Sequence, residues 1–227
     1  MRGALLVIGG RDRYSRRRIS VRESVMAKLI FRYGAMGSSK TANALMVRYN
    51  YLEKGYVPYL LKPATDTRDG KSEIKSRIGL HAECELVSSF LERLETIDFV
   101  KETVIIIDEA QFLSPEEVEA FAHIVDDKEI TVICYGLMTD FQSRLFPGSQ
   151  RLCELADRLE EIPTLCWCGK KAHFNTRFSD GKIVRTGAQV MLGGNESYVA
   201  LCRKHYFEGR LHGDRPQEDL TRDIAGV

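Results

Sequence analysis

Residues 34–41 read Gly34-Ala35-Met36-Gly37-Ser38-Ser39-Lys40-Thr41 and directly follow a short apolar segment at 28–33. The spacing matches the pattern G-x-x-x-x-G-K-[ST], in which backbone N–H groups surround phosphate oxygens at the N-terminus of a helix. In that pattern the lysine reaches the β- and γ-phosphates, and the hydroxyl residue coordinates magnesium. The segment therefore predicts a strand, a phosphate-binding loop and a helix, with residues 34–41 in contact with a nucleotide.

One position departs from this pattern, because Ser39 stands where the second glycine is expected. If the loop requires a positive φ there, a serine costs about 1–3 kcal/mol of backbone strain. A small side chain still lets a phosphate approach the loop. We therefore expect a phosphate loop whose geometry differs slightly from the usual form.

A second informative segment, at 104–107, places four consecutive β-branched apolar residues immediately before Asp108 and Glu109. A strand that is apolar on both faces suits the centre of a parallel sheet covered by helices on each side, and the ligand sites of such sheets lie at the carboxyl ends of the strands. In a phosphate-handling site the first carboxylate can hold magnesium, and the second can accept a proton from an attacking hydroxyl. Taken alone, the pattern fits equally well a core strand that ends in a solvated acidic turn. The upstream phosphate loop favours the nucleotide site.

Strand and helix patterns alternate through the first two thirds of the chain. Further strands are predicted at 57–61, 130–135 and 160–165, and helices at 42–52, through about 94, at 114–125 and at 150–159. Residues 69–84 are polar and contain glycine, so we expect a mobile loop there. This alternation predicts an α/β fold over residues 26–165, a P-loop NTPase-like parallel sheet flanked by helices.

The sequence changes character after residue 165, where short polar segments and several glycines predict a small β-rich lobe at 166–207 and a polar tail at 208–227. Two close pairs of possible metal ligands occur in this lobe: Cys166 with Cys168, and Cys202 with His205. Three thiolates and an imidazole make a closed tetrahedral zinc set, which is the structural type of zinc site. The C-x-C spacing is tighter than usual, and free core cysteines are the alternative.

Composition limits the classes of partner. The 227 residues are 44% hydrophobic and carry a formal net charge of +1, which gives no electrostatic reason to expect nucleic acid or an anionic membrane. Seven arginines nevertheless lie in residues 1–25. We expect this basic extension to be a disordered arm or to precede a misassigned start at Met26, and a targeting segment is the alternative. No stretch is long and apolar enough to span a bilayer, so a soluble cytoplasmic protein is expected.

Further short motifs follow the phosphate loop in a fixed order: Lys62-Pro63-Ala64-Thr65-Asp66-Thr67-Arg68, Ser76-Arg77-Ile78-Gly79, Asp108-Glu109-Ala110-Gln111-Phe112, Gly136-Leu137-Met138-Thr139-Asp140-Phe141, Gly193-Gly194-Asn195-Glu196-Ser197-Tyr198 and Cys202-Arg203-Lys204-His205. This ordered set resembles the type II thymidine kinases over about residues 28–207. The resemblance implies transfer of the γ-phosphate of ATP to the 5′-hydroxyl of thymidine, and of deoxyuridine, to give dTMP in nucleotide salvage. It also implies catalytic Mg²⁺, structural Zn²⁺, feedback inhibition by dTTP, a homotetramer, and no nucleic-acid or membrane partner.

The resemblance also implies roles for individual residues. Lys40 would hold the phosphates of ATP, and Arg68 would steady the transferring phosphoryl group. Thr41, Asp66 and Asp108 would serve the magnesium site. Glu109 would be the general base for the 5′-hydroxyl, and Gln111 would contact the nucleotide. The nucleoside would be bound by Met36, Phe112, Leu137, Phe141, Gln189, Val190, Met191, Leu192, Gly193 and Tyr198. The zinc ligands would be Cys166, Cys168, Cys202 and His205.

Two other classes stay open at this point. A phosphate loop followed by Asp108-Glu109-Ala110-Gln111 also resembles a helicase's second motif, although neither a second core-sized segment nor a basic face follows in the chain. The Ser39 departure leaves open a zinc-ribbon binding module joined to an inactive nucleotide fold. Met138 and Gln142 depart from the charged residues that stand there in some of the kinases.

Overall fold

The computed structural model describes residues 27–64, 72–189 and 198–213. The predicted extension at 1–25 and most of the predicted tail at 208–227 lie outside these ranges. The described elements, in chain order, are β1 (Leu29–Tyr33), α1 (Lys40–Glu53), β2 (Val57–Lys62), β3 (Glu73–Lys75), β4 (His81–Glu83), β5 (Glu85–Leu86), α2 (Val87–Glu92), β6 (Thr103–Ile107), α3 (Pro115–Lys128), β7 (Thr131–Gly136), α4 (Pro147–Leu155), β8 (Arg158–Glu161), β9 (Thr164–Leu165), β10 (Lys171–Ala172), β11 (Phe174–Ser179), β12 (Lys182–Ile183), β13 (Tyr198–Leu201) and α5 (Arg203–Glu208).

Six strands form the central sheet in the order β5-β2-β6-β7-β1-β8, and every pairing in it is parallel. The carboxyl ends of β1, β6 and β7 therefore meet at one edge. Because ligand sites of parallel sheets lie at that edge, the loop after β1 and the carboxylates after β6 are brought together. The predicted parallel sheet flanked by helices is confirmed.

Strand β6 lies at the centre of the core because its side chains are apolar on both faces. All five of its residues are buried. Side chains alternate between the two faces of a strand, so Ile105 and Ile107 pack with α3, whereas Val104 and Ile106 pack with α1. The two apolar faces explain why helices cover the sheet on both sides.

The start of α3 follows the capping signal in the sequence. The Ser114 hydroxyl accepts a hydrogen bond from the Glu117 N–H at 3.1 Å, and the Glu117 carboxylate accepts one from the Ser114 N–H at 2.8 Å. Pro115 occupies the first helical position, where its missing N–H leaves no bond unmade.

The prediction of a mobile loop at 69–84 is wrong for the part that the structure describes. Residues 73–75 and 81–83 form an antiparallel hairpin, β3–β4. The ammonium of Lys62, which is fully buried at the end of β2, donates to the Glu73 carbonyl at 2.8 Å, and Ile74 is buried. Strands of three residues carry little local signal, and this hairpin is held by Lys62 and by packing of Ile74 against α1 and the central sheet.

The bounds predicted for the helix at 150–159 and the strand at 160–165 are also wrong. Helix α4 spans Pro147–Leu155, because Pro147 suits the first helical turn and Ala156 is extended. The Asp157 carboxylate then accepts a hydrogen bond from the Leu29 N–H at 2.8 Å, and the chain enters β8 beside β1. Leu165, predicted in the same strand, belongs to β9 in the C-terminal lobe.

The C-terminal lobe contains a three-stranded antiparallel sheet in the order β12-β11-β13 and the β9–β10 pair. A small cluster of buried residues, which includes Cys166, Leu201, Cys202 and Tyr206, forms its core. The predicted β-rich lobe is confirmed, and the division of the chain into domains at residue 165 stays a prediction. None of the helices in the described ranges is long and apolar enough to cross a lipid bilayer.

Candidate active site

The phosphate loop connects β1 to α1 and is tightly packed at its first glycine. A Cβ atom on Gly34 would lie 2.3 Å from the Ile162 carbonyl oxygen, so this position has no room for a side chain. Lys40 begins α1, and its ammonium donates to the carbonyls of Gly34 at 3.1 Å and Ala35 at 3.0 Å. The loop therefore wraps around a cation at a helix N-terminus, the arrangement that suits a phosphate.

Ser39 adopts the left-handed conformation that its pattern position suggested, with φ 58° and ψ 30°. It stands at the N-cap of α1, where its side chain makes no capping hydrogen bond. A serine in this region costs about 1–3 kcal/mol relative to an unstrained backbone. Ser39 therefore carries backbone strain that a glycine at this position would not.

Asp108 lies directly behind the phosphate loop and is 3% exposed. Burial first, and then the negative charge of Glu109, raise the pKa of Asp108 to about 7. A hydrogen bond from the Thr41 hydroxyl and the positive charge of Lys40 oppose this rise. A buried carboxylate beside a hydroxyl is a donor set that suits magnesium, whose charge would replace the proton.

Glu109 adopts the left-handed conformation too, with φ 52° and ψ 36°, and a short 3₁₀ turn at Ala110–Phe112 follows it. The buried amide of Gln111 donates to the Glu109 carboxylate and accepts from the Leu137 N–H at 2.9 Å. Strained non-glycine residues of this kind cluster at active sites, where the surrounding structure holds them.

A cavity of about 610 Å³ lies between the phosphate loop and the β3–β4 hairpin. Its lining from the predicted set is Met36, Gly37, Ser39, Lys40, Thr41, Asp108, Glu109 and Leu137. Residues 74–78 of the hairpin form the opposite wall, which the sequence did not predict. The Ser76-Arg77-Ile78-Gly79 motif is the sequence feature that could have indicated this wall of the cavity. This volume is that of a small-molecule site.

The predicted aromatic residues Phe112 and Phe141 have different surroundings, and it is Phe141 that contacts the C-terminal lobe. Phe112 packs edge-on against Phe146, with 5.7 Å between ring centres. Phe141 is 1% exposed, and its carbonyl accepts a hydrogen bond from the Tyr206 hydroxyl at 2.8 Å. Gln189 donates to the Asp140 carboxylate at 3.0 Å.

Two buried polar residues of β11 connect the lobe to this site, and no local sequence pattern indicates either of them. Asn175 accepts from the Met36 N–H at 2.7 Å and donates to the Thr139 carbonyl at 2.6 Å. Arg177 stacks on Phe141 and donates to the Tyr198 hydroxyl at 2.7 Å. It also donates to the carbonyls of Ala188 and Gln189. The lobe therefore fixes both the phosphate loop and the segment after β7.

Some predicted site residues fall outside the described ranges: Asp66, Arg68, Val190, Met191, Leu192 and Gly193.

The four predicted zinc ligands meet in the C-terminal lobe, where their ligand atoms all lie within 4.8 Å of one another. Cys166 Sγ and Cys202 Sγ lie 3.4 and 3.5 Å from His205 Nδ1, and Cys168 Sγ lies 3.9 Å from Cys202 Sγ. With Zn–S bonds of about 2.3 Å, a tetrahedral site requires S–S separations of about 3.8 Å. The cluster is therefore compatible with zinc, and Trp167 stacks on the His205 ring at 4.0 Å between centres.

Comparisons with known proteins identify the family. The family model described as Thymidine kinase matches residues 27–206. A thymidine kinase of Ruegeria pomeroyi is 44% identical over 191 residues, covering 81% of this chain and 95% of that protein. Thymidine kinases of Shewanella oneidensis and Lactococcus lactis are 43% and 44% identical to this chain, and the alignments cover 98% and 100% of those proteins. The chain belongs to the thymidine kinase family.

Proposed function

We propose that this protein transfers the γ-phosphate of ATP to the 5′-hydroxyl of thymidine, and of deoxyuridine. The observation that carries the proposal is that Lys40, Thr41, Asp108 and Glu109 line one cavity of small-molecule size. Similarity to thymidine kinases over 81% of the chain supports the choice of nucleoside.

The phosphate loop binds the triphosphate in this proposal. Lys40 places its ammonium against the β- and γ-phosphates, and the backbone N–H groups of residues 34–41 surround their oxygens. Thr41, Asp108 and Asp66 hold Mg²⁺, which neutralises phosphate charge when bound. Arg68 stabilises the charge on the transferring phosphoryl group. The raised pKa of Asp108, about 7, supports this assignment, because the side chain can release its proton when a cation binds.

Glu109 is the general base in this proposal. Its carboxylate lines the cavity beside the phosphate loop, where it accepts the proton of the 5′-hydroxyl as that oxygen attacks the γ-phosphorus. General-base catalysis of this kind contributes about 10²–10⁴ in rate.

The nucleoside base occupies the side of the site that faces the C-terminal lobe. Met36 and Leu137 line the cavity, and the family resemblance adds Phe112 and Phe141 to this slot. The segment 189–193, with Tyr198, completes this slot. Cys166, Cys168, Cys202 and His205 would hold zinc, which would stabilise the folded lobe. The lobe holds Asn175 and Arg177 against the site. From the family resemblance we also propose that the protein is a cytoplasmic homotetramer and that dTTP inhibits it by feedback.

The test is a panel of nucleosides assayed with Mg-ATP, with each product identified by chromatography. We expect dTMP from thymidine and dUMP from deoxyuridine. Lys40→Met should abolish the product, whereas Lys54→Met, on the exposed end of α1, should not. No nucleotide product from any nucleoside would reject the proposal. ATP hydrolysis stimulated by single-stranded nucleic acid would favour a nucleic-acid motor instead.

A further inference from the structure

Gln111 occupies the junction between the ends of β6 and β7, the two strands that carry the candidate base and the candidate nucleoside slot. Gln111 is 1% exposed, so its side-chain amide is shielded from solvent. A buried amide requires hydrogen-bond partners at both ends. Gln111 finds one on each strand: Glu109 just after β6, and Leu137 just after β7.

The direction of these bonds fixes the orientation of the amide. The backbone N–H of Leu137 is a donor only, so the atom that faces it at 2.9 Å is the amide oxygen. The NH₂ group consequently points at the Glu109 carboxylate, which accepts from it. A flipped amide would place its NH₂ group against the Leu137 N–H, which is donor against donor. It would also place its oxygen against the Glu109 carboxylate, which is acceptor against acceptor. The carboxylate of Glu109 is thus held by a donor whose own position is fixed.

Two glycines border the turn at Ala110–Phe112 that carries this amide. A Cβ atom on Gly136 would lie 2.8 Å from the Gln111 side-chain oxygen and 2.9 Å from its backbone nitrogen. A Cβ atom on Gly148 would lie 2.5 Å from the Leu113 carbonyl and 2.9 Å from the Ala110 carbonyl. Both are closer than real Cβ contacts. The turn that follows Glu109 is therefore enclosed on both sides.

The far side of Leu137 is anchored as well. Its carbonyl accepts a hydrogen bond from the Ser149 hydroxyl of α4 at 2.6 Å. A continuous chain of hydrogen bonds therefore runs from α4 through the Leu137 peptide and the Gln111 amide to the Glu109 carboxylate. Because Leu137 and Glu109 line the same cavity, this chain fixes the distance between the candidate base and the nucleoside slot.

We propose that Gln111 is a positioning residue, which acts through Glu109 by holding the carboxylate and its left-handed backbone in register with Leu137. This inference rests on the proposed function, because it takes Glu109 as the base. It differs from the direct nucleotide contact that the family resemblance implies for Gln111. The buried amide, engaged at both ends within the protein, favours the indirect role.

The central variant is Gln111→Met, which keeps the shape of the side chain and removes both hydrogen bonds. We expect kcat for thymidine to fall about 10- to 100-fold, since a misplacement of about 1 Å can cost about 100-fold. The KM for ATP should stay within about 2-fold of the wild-type value. Gln111→Glu keeps the acceptor for Leu137 but places a second carboxylate beside Glu109, so it should lose at least as much kcat.

The matched control is Gln150→Met, the same substitution at an exposed residue of α4 whose amide contacts Glu154. It should leave kcat unchanged. The decisive comparison is a double-mutant cycle with Glu109→Gln. If Gln111 acts through Glu109, Gln111→Met should have little further effect on kcat once the base is removed.

Two outcomes would overturn the inference. One is an equal loss of kcat in both backgrounds, and the other is wild-type kcat in Gln111→Met, whether or not the KM for ATP is raised. A wild-type protein without nucleoside kinase activity would instead reject the proposed function. A crystal structure of Gln111→Met separates the two cases, because the positioning role predicts that Glu109 leaves its left-handed conformation. An unmoved Glu109 would contradict the role whether or not the protein is active.

Discussion

Ser39 and Glu109 line the same cavity, and both hold their backbones in the left-handed region, with φ 58° and 52°. Each is the residue at which a loop leaves the carboxyl end of a strand and turns into helical structure. The strain at Glu109 directs a carboxylate into the cavity, whereas the strain at Ser39 occurs where glycine would fit without it.

The strain at Ser39 predicts that Ser39→Gly stabilises the protein. Relief of the left-handed conformation outweighs the entropy cost of glycine, and we expect a gain of about 1 kcal/mol in the free energy of unfolding. Urea denaturation measures it. Ser114→Gly is the control, because Ser114 is extended and caps α3, and it should give no gain. A Ser39→Gly protein that is less stable than the wild type would show that the serine is not strained.

The raised pKa of Asp108 predicts a pH-dependent stability in magnesium-free buffer. The folded protein binds this proton more tightly than the unfolded chain, whose carboxyl has a pKa near 3.8, against about 7 when folded. The stabilising contribution is therefore complete below about pH 4 and is lost as the pH rises towards 7.

Asp108→Asn removes this ionisation, so its stability relative to the wild type should increase between pH 4 and 7. Urea denaturation at several pH values, without chelators that would remove zinc, measures the difference. Asp126→Asn, at an exposed position of α3, is the matched control. A stability difference that stays constant from pH 5 to 8 would show that Asp108 is ionised throughout.

The cysteine and histidine cluster predicts about one zinc per chain, measurable by elemental analysis of freshly purified protein. Cys202→Ala should lose the metal and make the C-terminal lobe sensitive to protease, while the α/β sheet remains folded. Cys153→Ala, at a half-buried cysteine of α4 outside the cluster, should retain both metal and lobe. If elemental analysis found no metal in the wild-type protein, the proposal of a zinc site would be rejected.

The stack of Arg177 on Phe141 predicts a specific defect in nucleoside binding. Arg177→Met leaves the carbonyls of Ala188 and Gln189 without their donor, at a cost of about 1–3 kcal/mol. We expect the KM for thymidine to rise about 10-fold or more, because 1.4 kcal/mol is about tenfold in affinity. The KM for ATP should not change. Arg151→Met, which breaks ion pairs of α4 with Glu119 of α3 and with Glu154, is the control. Equal effects on both substrates would indicate general unfolding of the lobe.

The parts of the fold and site that could be predicted from sequence are those with local patterns. The loop at 34–41, the apolar run of β6 and the capping box at Ser114 each specify their structure within a few residues. The cluster of four candidate zinc ligands could be predicted because the sequence places Cys and His, the residue types of closed tetrahedral sites, in two close pairs.

The remainder depends on contacts between distant segments. The β3–β4 hairpin forms around the buried Lys62 ammonium, and three-residue strands give no periodicity to detect. Asn175 and Arg177 lie more than a hundred residues after the phosphate loop. Nothing in their local sequence indicates that Asn175 contacts this loop or that Arg177 stacks on Phe141. The role of Gln111 likewise depends on the pairing of β6 with β7.

Glu109→Gln tests the assignment of the base most directly. The substitution keeps the size of the side chain and removes the proton acceptor, so we expect kcat for thymidine to fall about 10²- to 10⁴-fold. Calorimetry should show ATP and thymidine binding within a few-fold of the wild type. Glu129→Gln is a closely matched control, since Glu129 is an exposed glutamate that is also left-handed, with φ 54°. A near-normal kcat in Glu109→Gln would contradict the role of Glu109 as the general base.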